Sequence, residues 1–236
     1  MLDKYTEIMR KKIDDLIAQV PLKIFAVTLL FIIALVLFAY IADEIVLENN
    51  SVFDTQVMNY VHTHETLQLI QIMKVVTFFG SSQFLLPAYI LLIIFYVIKK
   101  NTAYAIDIAI IGISSTAIMF LLKGIFKRHR PPMPIVKTIV GYSFPSGHSL
   151  SSFIFCSILV YLIFQSSLTR TLKYLISLLL LLFALTIGLS RIVLNVHFAS
   201  DVIAGFCLGL VLVIVSFNIM RKIRKANPAT ADTPLL

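Results

Sequence analysis

The chain has 236 residues, 59% of them hydrophobic and only 14% charged, with a mean hydropathy of +0.94. That balance lies far from a water-soluble globular or disordered chain and makes a bilayer the expected solvent. The net charge of +8 does not point to nucleic acid, because the basic residues are spread between apolar runs and form no basic domain interleaved with aromatics.

Residues 1–20 place Leu2, Tyr5, Ile8, Met9, Ile13, Leu16, Ile17 and Val20 at three- and four-residue spacing between charges, which predicts an amphipathic helix on the membrane surface. The segment is too polar for a signal peptide, and the apolar run after Pro21 is too long and lacks a small-residue cleavage site, so the first span is expected to be retained. Transmembrane helices are predicted at 22–41, 79–98, 104–122, 149–165, 174–190 and 202–220, each close to the roughly 20 residues that cross a hydrocarbon core. Residues 42–78 carry the acids Asp43, Glu44, Glu48, Asp54 and Glu65 among short mixed stretches and predict short surface helices. Residues 226–236 lack periodicity and predict a disordered tail. The fold class is therefore all-α, a single six-helix membrane domain over 1–225 with its core at 22–220.

Six spans put both termini on one side. With the termini inside, 13 of the 20 Lys and Arg fall on the cytoplasmic side: Lys4, Arg10, Lys11, Lys12, Lys23, Lys99, Lys100, Arg170, Lys173, Arg221, Lys222, Arg224 and Lys225. The other 7 are Lys74, Lys123, Lys127, Arg128, Arg130, Lys137 and Arg191.

Three loops then fall on the opposite, outer face. The first, Lys123 to Pro132, crowds cations at a helix exit; snorkelling would explain them, but outside the membrane they oppose the usual bias, as if an anion held them. The second, Gly141 to Phe153, puts Pro145, Ser146, Gly147 and His148 at the start of the fourth span. Free amides and the macrodipole favour an anion there, although Ser146 could equally be only a cap. The third, Leu189 to Gly205, carries Arg191, His197 and Asp201. On a helix, His197 and Asp201 would share a face and the carboxylate could orient the imidazole; alternatively Asp201 merely caps the sixth span. Together the loops can assemble cations, two imidazoles and a carboxylate, a set suited to phosphoryl transfer.

These residues resemble the type 2 phosphatidic acid phosphatase superfamily. Lys123, six residues, Arg130 and Pro131 fit its first motif; Pro145, Ser146, Gly147 and His148 fit the second; Ser190 and Arg191, five residues, His197, three residues and Asp201 fit the third. The resemblance implies His197 as the nucleophile that becomes phosphohistidine, Asp201 as its orienting carboxylate and His148 as the general acid. It also implies a phosphate held by Lys123, Arg130, Arg191 and the backbone of Ser146 and Gly147. No metal or other cofactor is implied, in keeping with a sequence that has neither zinc-type spacing nor an oxygen-rich loop. The layout looks most like the bacterial branch acting on undecaprenyl diphosphate and phosphatidylglycerophosphate in the cell membrane, with a lipid phosphate as partner and neither nucleic acid nor an obligate protein partner.

His129, His62 and His64 are expected at the surface, Asp107 in a structural role near the inner end of the third span, and Pro87 at a kink in the second. Cys156 and Cys207 fall inside apolar spans and are read as small buried hydrophobes. Two other functions compete: a phosphotransferase passing phosphate to a lipid hydroxyl, and a transporter or lipid scaffold, which would need charges near the bilayer midplane. Opposite protonation demands on the two imidazoles predict a bell-shaped pH profile.

Overall fold

The computed structural model describes residues 21–48, 50–136 and 141–226, so the predicted amphipathic helix at 1–20 and most of the tail lie outside the described residues. Among the described residues eight α-helices and one π-helical stretch follow in order: α1 Leu22–Tyr40, its continuation Ile41–Leu47, α2 Val52–His64, α3 Leu67–Phe78, α4 Ser82–Ile98, α5 Thr102–Phe126, α6 Gly147–Gln165, α7 Arg170–Val193 and α8 Ala199–Ala226.

Among the described residues six segments are long and apolar enough to cross a membrane: Ile24–Leu47, Leu67–Ile98, Thr102–Phe126, Gly147–Gln165, Arg170–Val193 and Ala199–Arg224. They match the six predicted spans with two differences. The first span continues past 41 as the π-helical turn, whose Ile41, Ala42 and Ile45 are buried against Phe144 and Ala204. The second begins at Leu67, because only the short turn at Phe79–Ser81 separates α3 from α4. Pro87 lies inside α4, which runs unbroken around it.

The core sits along α6. Leu150, Ile154, Ile158 and Leu162, four residues apart, are all buried, and α7 and α8 pack against this helix from two sides. The outward faces are the reverse of a soluble protein, with Leu29, Ile33, Leu91, Ile113 and Leu182 exposed. Lipid tails are the environment in which such a belt costs nothing.

The crossing of α8 over the start of α6 depends on Gly205. A Cβ there would stand 2.8 Å from the Ser146 carbonyl oxygen and 3.0 Å from Ser149 Cβ, and a backbone oxygen cannot move aside cheaply. We expect Gly205→Ala to destabilise the protein by about 1–3 kcal/mol, as overpacked contacts do. Gly124→Ala, with nothing within 4 Å of its Cβ, is the matched control and should be neutral or stabilising. Thermal unfolding of both variants in one detergent checks the pair; equal melting temperatures would overturn the close-contact argument.

At the end of the bundle away from Gly147, Asp107 of α5 pairs with Arg224 of α8. The Arg224 guanidinium also lies 4.0 Å from the Tyr104 ring centroid. This bears out the structural reading of Asp107 and supplies the partner that periodicity could not. Cys156 and Cys207 are free thiols, one buried and one half-buried.

Candidate active site

Four helix ends meet on one side of the bundle: the last turn of α5, the first turns of α6 and α8, and the last turn of α7. Both α6 and α8 point their N-termini, with unsatisfied amides and positive dipole ends, into this region.

Lys127 ends α5 in the left-handed region at φ 47° and returns its amide to the Lys123 carbonyl at 3.1 Å. The chain beyond is extended, so its side chains alternate: Lys127 and His129 are exposed while Arg128 and Arg130 turn inward. Lys123 Nζ donates to the carbonyls of Tyr142 at 2.7 Å and Ser143 at 3.2 Å. Arg130 donates to Gly141 O at 3.0 Å, Val196 O at 2.9 Å and Nε2 of His197 at 3.1 Å. These two predicted phosphate ligands thus tie the second and third loops together.

His197 and Asp201 are close, but not as one helical face. The chain turns at Leu194–His197 and α8 starts only at Ala199. Asp201 Oδ2 accepts the Phe198 amide at 2.9 Å, the reach-back of a third-position acid to a helix cap. The same oxygen lies 3.5 Å from His197 Nδ1 and accepts the Ser143 hydroxyl, whose oxygen is 3.2 Å from that nitrogen. Capping and orienting, posed by the sequence as alternatives, are both carried by Asp201. The hydrogen-bond partners assign the tautomer: Nδ1–H points to Ser143 and Asp201, while Nε2 is the unprotonated nitrogen and its electron pair accepts from Arg130. Burial pushes the His197 imidazole down to about 4, Arg130 and Lys123 adding to the fall and Asp201 opposing it. The ring is therefore neutral at pH 7.

Ser146 differs from expectation. Its amide donates to the Asp201 carbonyl at 3.0 Å and its hydroxyl accepts the Ser149 amide at 3.4 Å, so its own N–H is engaged within the fold and it serves as the cap of α6. The two amides that follow it, of Gly147 and His148, start the helix and have no intrahelical acceptor. Gly147 is tightly enclosed, for a Cβ there would meet Met119 Sδ at 2.8 Å. His148 is half-buried within electrostatic reach of Arg191, His197, Arg130 and Lys123. Its ring rests on Gly80, where a Cβ would be 3.1 Å from His148 Cδ2. Arg191, in the last turn of α7, is buried, donates to the Thr77 hydroxyl through Nη1 and leaves its Nε without a partner among the described residues.

The structure thus brings together all eight residues singled out by sequence: Lys123, Arg130, Ser146, Gly147, His148, Arg191, His197 and Asp201. It adds Arg128, Ser143, Thr77 and Asp54. Arg128 was visible in the sequence as the i+2 neighbour of Arg130 on an extended strand of chain. Asp54 carried no such signal: it is one of five acids in a mixed segment, and its burial beside Met58 on one face of α2 comes from packing. His62, His64 and His129 lie at the surface as expected; His64 Nδ1 meets the Tyr60 carbonyl at 2.8 Å.

A buried neutral imidazole with one nitrogen on a carboxylate and the other facing Arg130, with Lys123 within electrostatic reach, can attack an electrophilic phosphorus. A family pattern described as the PAP2 superfamily matches residues 104–225, just over half the chain. The chain belongs to the PAP2 superfamily. It is 28% identical over 162 residues to phosphatidylglycerophosphatase B of Bacillus subtilis (strain 168), an alignment covering 66% of this chain and 77% of that protein. Its fold matches the crystal structure of a transmembrane PAP2-type phosphatidylglycerolphosphate phosphatase from Bacillus subtilis, with a TM-score of 0.70, 26% identity, and 84% of this chain and 96% of that one covered. Aquifex aeolicus LpxE shares the fold at a TM-score of 0.52 and 22% identity, covering 70% of this chain and 94% of that one. The protein is therefore a multi-pass membrane PAP2 phosphatase acting on lipid phosphates.

Proposed function

We propose that this PAP2 phosphatase hydrolyses phosphatidylglycerophosphate, undecaprenyl diphosphate or both through a phosphohistidine at His197. The observation that carries the reading is the assigned tautomer of His197: Nδ1–H is directed to Ser143 and Asp201, and the Nε2 electron pair faces Arg130. The phosphatidylglycerophosphatase among its relatives supports the first substrate. An outer-face site, argued from the distribution of basic residues, suits the second.

In the first step Nε2 attacks phosphorus, the bond to the leaving oxygen breaks, and that oxygen takes the proton of His148. Lys123, Arg130, Arg191 and the amides of Gly147 and His148 neutralise the equatorial oxygens, while Asp201 and Ser143 stabilise the positive ring at Nδ1. In the second step water gives its proton to His148 and attacks phosphorus, the P–N bond breaks, and inorganic phosphate leaves with His197 again neutral. An anion that draws on Arg191 would also satisfy its buried Nε.

Because the imidazole sits near 4 when folded, its neutral, reactive form persists as pH falls from 7 and is lost only as pH passes through about 4. Carbon-13 histidine resonances in detergent should show this low midpoint for His197. A midpoint near 6.5, that of a solvated ring, would contradict the buried geometry.

The functional test is phosphate release by wild type and His197→Ala, with excess chelator, from pure phosphatidylglycerophosphate, undecaprenyl diphosphate and phosphatidic acid. Release by wild type alone supports the chemistry, and the ratio of kcat/KM values ranks the substrates. Equal release by both proteins would remove His197 from the reaction. No release without an added lipid acceptor would replace hydrolysis by phosphate transfer.

A further inference from the structure

Behind the motif residues lies a second buried carboxylate that the chemistry above does not use. Asp54 of α2 is fully buried, although it belongs to the acidic segment expected at the surface and lies outside the residues matched by the family. Its Oδ1 accepts the Ser200 amide at 2.9 Å, and its Oδ2 accepts Arg128 Nη2 at 2.6 Å and the Ser200 hydroxyl at 2.5 Å. The other arm of Arg128 donates to Asp201 Oδ1 at 2.6 Å and to the Ser200 hydroxyl at 2.8 Å. Phe198 closes the guanidinium from one side, its ring centroid 4.3 Å from Cζ. Asp54, Arg128, Asp201, Ser143 and His197 thus form one continuous chain of contacts.

Charge counting gives this chain its meaning. Arg128 paired with Asp201 alone would cancel it, leaving a neutral pair behind the imidazole. With Asp54 as the second acid the group of three is net negative, and Asp201 keeps charge to offer the positive ring formed on attack. Geometry points the same way: Asp54 draws one arm of the guanidinium toward α2, so that Arg128 binds only Oδ1 of Asp201 and leaves Oδ2 to Ser143, Phe198 and His197.

We propose that Asp54 is a positioning residue for the reaction, acting through Arg128 to keep the Asp201 carboxylate oriented and charged toward His197. The proposal rests on reading His197 as the nucleophile. The other groups facing the ring are Lys123 of α5, Arg130 of the following loop and His148 of α6, and these are left intact by the test.

The experiment measures kcat, KM, the acid limb of kcat/KM and thermal unfolding for wild type, Asp54→Asn, Asp54→Glu and His197→Ala in detergent. The substrate is phosphatidylglycerophosphate or, if wild type cleaves it faster, undecaprenyl diphosphate. Asp54→Asn should lower kcat about 10–100-fold, the span over which outer partners of metal-bound imidazoles act, with KM within about 3-fold. Removing a negative charge disfavours the imidazolium, so the acid limb should move to lower pH. Asp54→Glu, which keeps the charge but displaces it, should lose only about 3–10-fold in kcat and leave the limb in place, and it carries the test if Asp54→Asn does not fold. Wild-type kcat and limb in Asp54→Asn, beside an inactive His197→Ala, would overturn the positioning role alone; so would lost thermal stability with both unchanged, or wild-type kcat in Asp54→Glu where the amide variant does not fold. An active His197→Ala would instead bring down the reading on which the proposal rests.

Discussion

Replacing His197 with alanine should lower phosphate release about 10⁴-fold or more, the scale on which removing a nucleophile from a cooperating set acts. The residue has no substitute nearby: His148, the other imidazole of the site, belongs to α6 and has no carboxylate among its hydrogen-bond partners in the described residues. The variant should also fail to trap label. Wild type quenched during turnover of a ³²P-labelled lipid should retain protein-bound phosphate that survives alkali and is lost in acid, as a phosphoramidate does, whereas His197→Ala should retain none. Label that is stable in acid, or that persists in the variant, would place the covalent intermediate on another residue. Folding should be preserved, because Lys123 and Arg130 hold the surrounding loops through carbonyls of Gly141, Tyr142, Ser143 and Val196 as well.

The second large effect should depend on the leaving group. A general acid matters when the departing oxygen is a poor anion, so His148→Ala should slow cleavage of a lipid phosphomonoester by about 10²–10⁴-fold. With p-nitrophenyl phosphate the departing phenolate needs no proton, and the first step should fall by less than about 10-fold. Water attack would still lack its base. Stopped-flow absorbance should accordingly show a burst of one nitrophenolate per enzyme followed by slow turnover. Equal slowing of the first step on both substrates would mean that His148 binds phosphate rather than delivering a proton.

The spans and the motif residues were legible in the sequence for different reasons. Spans follow from length and hydropathy, which the bilayer imposes locally. Lys123, Arg130, His148, Arg191, His197 and Asp201 were legible because polar groups at the mouths of apolar helices are costly and few. Their grouping on one side followed from counting helices. What could not be read was partner choice. The sequence shows Asp54 as one acid among five in a mixed segment, and only tertiary packing selects it for burial against Ser200. Ser146 illustrates the opposite limit: its place at the start of α6 was legible, but the capture of its amide by the Asp201 carbonyl depends on how closely α8 crosses, which Gly205 sets. The π-helical turn after Tyr40 likewise has no local signature, because its residues are ordinary helix formers whose buried side chains pack against Phe144 and Ala204.

Asp54, Thr77 and Gly80 all precede the stretch matched by the family, yet each touches a site residue or its anchor. The signature is thus portable while its scaffolding is not. A chimera joining residues 104–225 to the leading helices of a distant relative would carry every diagnostic residue and still rebuild the catalytic neighbourhood from foreign parts. Domain swapping within this superfamily should therefore be planned around α2 and the α3–α4 turn rather than around the motifs.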